Sequence, residues 1–170
     1  MTDDIAELLA SATTEETSEP AGVRELAENL MELLGLPLSG PDRWTLVFDQ
    51  AKTRAGQCRR STREISLSAP LMSVWTPAQV RDTVLHEIAH ALTKGGHGYQ
   101  WQEMCRKIGA DPTRTWGHDG EQEIPGKYTG TCPAGHVVVR HRKPRQPRSC
   151  GQCGPWFDIR NLITWTENET

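Results

Sequence analysis

The stretch Leu85-His86-Glu87-Ile88-Ala89-His90-Ala91-Leu92 constrains this chain more than any other. At 3.6 residues per turn, positions four apart share a helix face, so His86 and His90 can aim two imidazoles at one metal ion with Glu87 beside them. The flanks require a helix. Thr76-Pro77-Ala78-Gln79 offers an N-cap hydroxyl, a proline at the first helical position and a glutamine where a capping box needs one. Lys94 and then Gly95-Gly96 supply a cation for the last turn and residues that tolerate positive φ. The spacing predicts a helix over 77–94 with an apolar stripe of Val80, Val84, Ile88, Ala91 and Leu92. Histidines used only for packing belong on that stripe, and His86 and His90 lie off its centre.

H-E-x-x-H on a helix is a zinc-binding pattern in which the glutamate acts as general base toward a metal-bound water. A hydrolytic zinc site takes three protein ligands and keeps a fourth position open. His97, just past the diglycine break, is the candidate third ligand. It precedes a second helix over 99–108, where Trp101, Met104, Cys105 and Ile108 recur at i, i+3, i+4 and i+7 and turn one face inward. Glu87 is the catalytic residue in this reading: it takes a proton from the attacking water and passes it to the leaving amine, with no covalent intermediate. Tyr99 and Tyr128 are the candidates for stabilising the oxyanion. Asp82, one turn before His86, is the candidate for orienting a ligand ring.

His86-Glu87-Ile88-Ala89-His90 followed by His97-Gly98-Tyr99-Gln100-Trp101 resembles the H-E-x-x-H and H-G-x-x-[FW] pair of the SprT-like metalloprotease family, whose eukaryotic branch is called Spartan. Upstream, Arg63-Glu64-Ile65-Ser66-Leu67-Ser68 is similar to the strand that family places before its active helix. The likeness spans roughly residues 23–165. Metzincins put their third histidine one residue earlier and a glycine where this chain has Thr93, so that branch is disfavoured. The resemblance implies an α+β fold, with a zincin-like metalloprotease core in which a small sheet packs on helices. It implies a zinc-dependent endopeptidase and, for the eukaryotic branch, DNA-dependent action on DNA-bound or DNA-crosslinked proteins; single-stranded DNA is the partner to expect if the basic loop near the C-terminus contacts phosphates. It also suggests residues 63–68 as a sheet edge that takes substrate as an added strand.

The remaining chain sorts into three parts. Residues 1–43 carry ten acids against two bases, residues 44–130 nine against eleven, and residues 131–170 three against six, so the net charge of −3 hides an acidic start and a basic end. A chain with that balance has no general pull toward nucleic acid, and any affinity must come from a local patch. Residues 1–20 read as a mobile acidic segment, residues 21–127 as the metalloprotease domain and residues 128–170 as a zinc ribbon. Val23, Leu26, Ala27, Leu30, Leu33 and Leu34 give residues 23–34 a helical core pattern, closed by Gly35 and Pro37. Trp44, Leu46 and Phe48 alternate as in a half-buried strand, Gly56 and its polar neighbours turn the chain, and Ile65 and Leu67 alternate in a partner strand. Residues 109–127 read as a surface loop, with His118 solvated. No apolar run is long enough to span a membrane, and Met1-Thr2-Asp3-Asp4 lacks a signal peptide's basic start, so the expectation is a cytoplasmic monomer without membrane contact.

Near the C-terminus, Cys132-Pro133-Ala134-Gly135-His136 and Cys150-Gly151-Gln152-Cys153 form two ligand knuckles. Cys132, His136, Cys150 and Cys153 make the four-ligand closed shell of a structural zinc, with His141 as the alternative to His136. The cofactors expected are therefore two zinc ions, one catalytic and one structural. Val137-Val138-Val139 and Trp156-Phe157 are read as ribbon strands, Trp156 and Trp165 as packing residues, and Cys58 and Cys105 as free thiols. Between the knuckles, Arg140, Arg142, Lys143, Arg145 and Arg148 put five positive charges in nine residues with no acid, a candidate nucleic-acid contact. Two further readings stay open: a non-catalytic nucleic-acid-binding zinc protein, and another zincin hydrolase acting on small peptides.

Overall fold

A computed structural model describes residues 20–113 and 124–168. The acidic segment ahead of Pro20 and the loop carrying His118 lie outside the described residues. The chain divides into two compact units, the first ending at Ile124 and the second beginning at Pro125.

The first unit is mixed α and β. Helix α1 (Pro20–Leu33) is followed by strands β1 (Thr45–Asp49), β2 (Gly56–Arg59) and β3 (Glu64–Ser68), then by a short helix α2 (Ala69–Met72), α3 (Pro77–Leu92) and α4 (Tyr99–Ile108). Val23, Ala27, Leu30 and Met31 of α1 are fully buried at helical spacing and share one core with Val80, Val84, Leu85 and Ile88 of α3. Helix α3 begins as its sequence requires. Thr76 Oγ1 accepts from the Gln79 N–H at 3.3 Å while Gln79 Oε1 accepts from the Thr76 N–H at 2.8 Å.

The sheet corrects the sequence reading in two places. Its order is β1-β3-β2, with β3 parallel to β1 and antiparallel to β2. Residues 63–68 were expected to form a free edge; instead β3 is central, hydrogen-bonded on both sides, and Ile65, Ser66, Leu67 and Ser68 are all buried. An edge is vacant only where no neighbour has taken its N–H and C=O groups, so β3 has none to offer. The edge beside α3 is β2, in residues read from sequence as a turn. Gly-Gln-Cys-Arg has no apolar alternation, and its strand state comes from pairing with β3.

In the second unit, β4 (Tyr128–Thr131) lies between β5 (Val137–Arg140) and β6 (Thr164–Glu167), antiparallel to both. Trp156 and Phe157 are not in a strand. They are 83% and 65% exposed, in the loop before a 3-10 turn over Ile159–Asn161. Trp165, on β6, is half-buried over Gly130, where a Cβ would come within 2.8 Å of its ring. Among the described residues of this unit, the buried apolar side chains are Cys132 and Cys150 alone.

Candidate active site and metal centres

One face of α3 carries His86 and His90, and the turn after it returns His97 to them. Thr93 leaves the helix in an extended conformation and Gly95 follows at φ 100°, the left-handed region that glycine enters without steric cost. The Nε2 atoms of His86 and His97 stand 3.2 Å apart, and those of His90 and His97 3.1 Å. Tetrahedral zinc with bonds of about 2.0–2.1 Å to nitrogen needs ligand atoms about 3.3 Å from one another. The three nitrogens fit that requirement. Burial, reinforced by the neighbouring imidazoles, lowers the pKa of His86 and of His90 to about 4. Both rings are therefore neutral and able to donate lone pairs to a metal.

Trp101 forms the floor of this site. Its ring lies 4.7, 5.2 and 4.6 Å from the centroids of His86, His90 and His97, stacked on His90 and edge-on to the other two. Helical periodicity placed Trp101 in the core, where it is 1% exposed, but could not show that the surface it packs against is the ligand set itself. Asp82, the candidate for orienting a ligand ring, accepts a hydrogen bond at Oδ1 from the Asp111 N–H at 2.7 Å and so ties the chain after α4 to α3. Tyr99, at the start of α4, has its side chain exposed.

Glu87 points toward strand β2. It is 6% exposed, and burial pushes its carboxyl up to about 7 against the opposing pull of the Arg54 guanidinium and the Cys58 N–H. Gly56 lies against it, where a Cβ would come within 2.6 Å of Glu87 Cγ. Sequence inspection had assigned neither Gly56, Cys58 nor Arg54 to the site; no local pattern marks them, and only the pairing of β2 brings them to α3.

In the second unit, Cys132, His136, Cys150 and Cys153 converge, with all four ligand atoms within 4.8 Å of one another. His136 Nδ1 is 3.6 Å from Cys132 Sγ, 3.5 Å from Cys150 Sγ and 3.3 Å from Cys153 Sγ. The Cys132 and Cys153 sulfurs are 3.8 Å apart. Zinc–sulfur bonds of about 2.3 Å call for about 3.75 Å between sulfurs, so this set fits the ion as well. His141, the alternative ligand, is not in the group. Gly135, at φ 83°, closes the first knuckle with its N–H on the Cys132 carbonyl at 2.9 Å. Against the upward push of burial, the N–H groups of His136 and Ala134 and the neighbouring sulfurs bring Cys132 down to about 7, whereas burial and the crowded sulfurs beside it push Cys153 up to about 12.

The profile of the SprT-like family matches residues 28–119, just over half of the chain. The chain belongs to the SprT-like family. Membership points to metalloprotease-type chemistry at the level of the family, and the matched span holds all three histidines and Glu87. No curated protein and no solved structure gives a significant match. The ribbon of this SprT-like chain lies beyond the matched residues, so its assignment rests on its own geometry. Among the described residues, no helix is long and apolar enough to cross a membrane.

Proposed function

We propose that this chain is a zinc-dependent endopeptidase with a zincin-like core, and that Glu87 is its general base. The observation that carries the reading is the convergence of His86, His90 and His97 Nε2 next to a buried carboxylate on the same helix. A purely structural metal site has no use for such a carboxylate. Zinc held by these three histidines supplies a Lewis acid that polarises a carbonyl and makes water acidic enough to lose a proton near neutral pH. Glu87 accepts that proton at a carboxylate oxygen and returns it to the departing amine nitrogen. Burial raises the basicity of this carboxylate, which favours its taking a proton, while the charge of a bound zinc ion would act in the opposite direction. The Cys58 N–H holds the carboxylate, and Gly56 leaves room for its chain.

Substrate enters along β2 rather than β3. That strand has β3 on one side only; its Cys58 N–H is taken by Glu87, and a peptide pairing with the remaining groups of the outer edge passes the base. Backbone pairing of this kind gives affinity with little sequence preference.

The second unit adds a nucleic-acid reading, favoured by the exposure of Trp156 and Phe157 on the unit that carries the basic loop. Arg140, Arg142, Lys143, Arg145 and Arg148 are all exposed, and among the described residues none of them forms an ion pair with an acid. Exposed aromatic rings and these unpaired cations on one unit suit single-stranded DNA, through stacking and phosphate neutralisation. Substrates bound to or crosslinked to DNA follow from that affinity.

The test incubates zinc-loaded protein with casein and with a DNA-bound protein, with and without single-stranded DNA. Cleavage by the parent chain and its loss in Glu87→Gln, with zinc still bound, is the expected result. Undiminished cleavage by Glu87→Gln removes Glu87 from the mechanism, and binding to single-stranded DNA that is indifferent to salt removes the phosphate contacts.

A further inference from the structure

Arg60 follows strand β2 directly and reaches across to the end of α3. Its Nη1 donates to the carbonyls of His90, at 3.4 Å, and of Thr93, while its Nη2 donates to the carbonyl of Gly95 at 3.4 Å. The last carbonyls of a helix have no partner within it. Here no left-handed residue caps the helix, because Thr93 is extended at φ −120° and ψ 161°. Thr93 Oγ1 takes the Ala89 carbonyl at 2.7 Å, and one guanidinium gathers three further carbonyls along the path from ligand His90 toward ligand His97.

The segment so gathered is open to solvent. Lys94, Gly95 and Gly96 are exposed, and neither glycine has space-filling neighbours where a side chain would begin. Gln102 adds a contact to the His97 carbonyl at 3.5 Å. A diglycine turn has high conformational entropy, so a ligand placed directly after it is well placed only if the turn is tied down. The planar fork of an arginine, with five donors in fixed directions, can bridge several carbonyls at once where a lysine ammonium cannot. Its positive charge also lies at the negative end of the helix dipole.

We propose that Arg60 is a positioning residue for the metal: by clamping the His90, Thr93 and Gly95 carbonyls, it fixes the turn that presents His97 and so sets the metal affinity of the three-histidine site. This assignment rests on the zinc reading of that site. It also gives β2 and the residue after it two tasks, holding Glu87 through Cys58 and holding the ligand turn through Arg60.

The test titrates cobalt(II) into the metal-stripped full chain and follows the two sites separately. Thiolate-to-cobalt charge-transfer absorption reports the ribbon, and the histidine site is read from the visible ligand-field bands after subtraction of the ribbon's own bands, recorded on a His86→Ala/His90→Ala chain. Arg60→Ala is expected to weaken the histidine site by about 10–100-fold, the range usual for residues that orient ligands, and to leave the ribbon site unchanged. Arg60→Lys should recover part of the loss and Arg60→Gln less, and these two carry the measurement if Arg60→Ala does not fold. Equal histidine-site affinity in the parent and all folded variants overturns the assignment, as does a fall in apo-protein melting temperature with no change in that affinity, the signature of a helix cap alone. A parent chain whose ribbon fills while its histidine site takes no cobalt overturns the proposed function itself, and this assignment with it.

Discussion

Gly56 and Glu87 are packed so closely that no Cβ fits at position 56 beside the glutamate side chain. A methyl group at position 56 would lie 2.6 Å from Cγ, 2.7 Å from Oε1 and 2.9 Å from Cδ of the glutamate. The edge strand of the sheet and the carboxylate of the active helix are thus fitted to each other by the absence of a side chain.

Gly56→Ala should therefore displace Glu87 without touching a metal ligand. Displacing a reacting group by about 1 Å can cost on the order of 100-fold in rate, and a loss of that size in kcat is expected, with zinc content unchanged. Proteolysis rates alongside metal analysis check it; unaltered kcat would show that Glu87 does not need its present place.

Trp101→Ala should remove the floor under three imidazoles at once. A buried tryptophan truncated to alanine typically costs about 3–5 kcal/mol, and here the loss should include metal affinity, because His86, His90 and His97 all pack on the ring. Trp101→Phe should be much milder. Among the described residues the buried indole Nε1 has no hydrogen-bond partner, so phenylalanine gives up volume but no hydrogen bond. Thermal melts with and without zinc separate the two variants.

Asp49 predicts an acid limb to the stability of the first unit. Burial raises its pKa, but the Ser66 hydroxyl, the Ala51 N–H at 2.8 Å and the Arg54 guanidinium at 2.6 Å together lower it below the usual carboxylate value of 3.8. The unfolded chain then binds more protons than the native one below that value. The stabilisation is present above about pH 4 and is lost as pH falls through the native pKa. The melting temperature of Asp49→Asn should sit below that of the parent at about pH 6, and the gap should narrow as the pH falls below about 4, the unfolded value. A gap that widens on acidification would contradict the sign.

Cys150→Ser, or removal of metal by a chelator, should unfold the second unit. Its buried apolar side chains among the described residues are two of the ligand cysteines, so the ion replaces the hydrophobic core that so short a unit cannot build. Loss of amide protection across β4, β5 and β6, with α1, α3 and α4 retained, is the expected hydrogen-exchange result.

What could be read from sequence alone was set by spacing along the chain. Helix α4 begins and ends where its periodicity predicts, at Tyr99 and Ile108, and α3 opens on the capping box at Thr76 and Gln79. His86 and His90 share a face because a helix turn is 3.6 residues, and Cys150 and Cys153 share a knuckle because two residues close a turn; neither depends on distant parts of the chain. Long-range pairing decided the rest. Strand β3 is alternating and apolar because it is the centre of the sheet, whereas β2, without any such pattern, is the edge strand that meets Glu87. Trp156, expected to pack, is open to solvent, while Trp101, expected merely to pack, does so against the ligands. Arg60 was one basic residue among several until folding laid the turn after α3 beside it. Periodicity shows that a side chain is buried, but which surface it meets depends on contacts between residues far apart in sequence, and these exist only once the tertiary structure has formed.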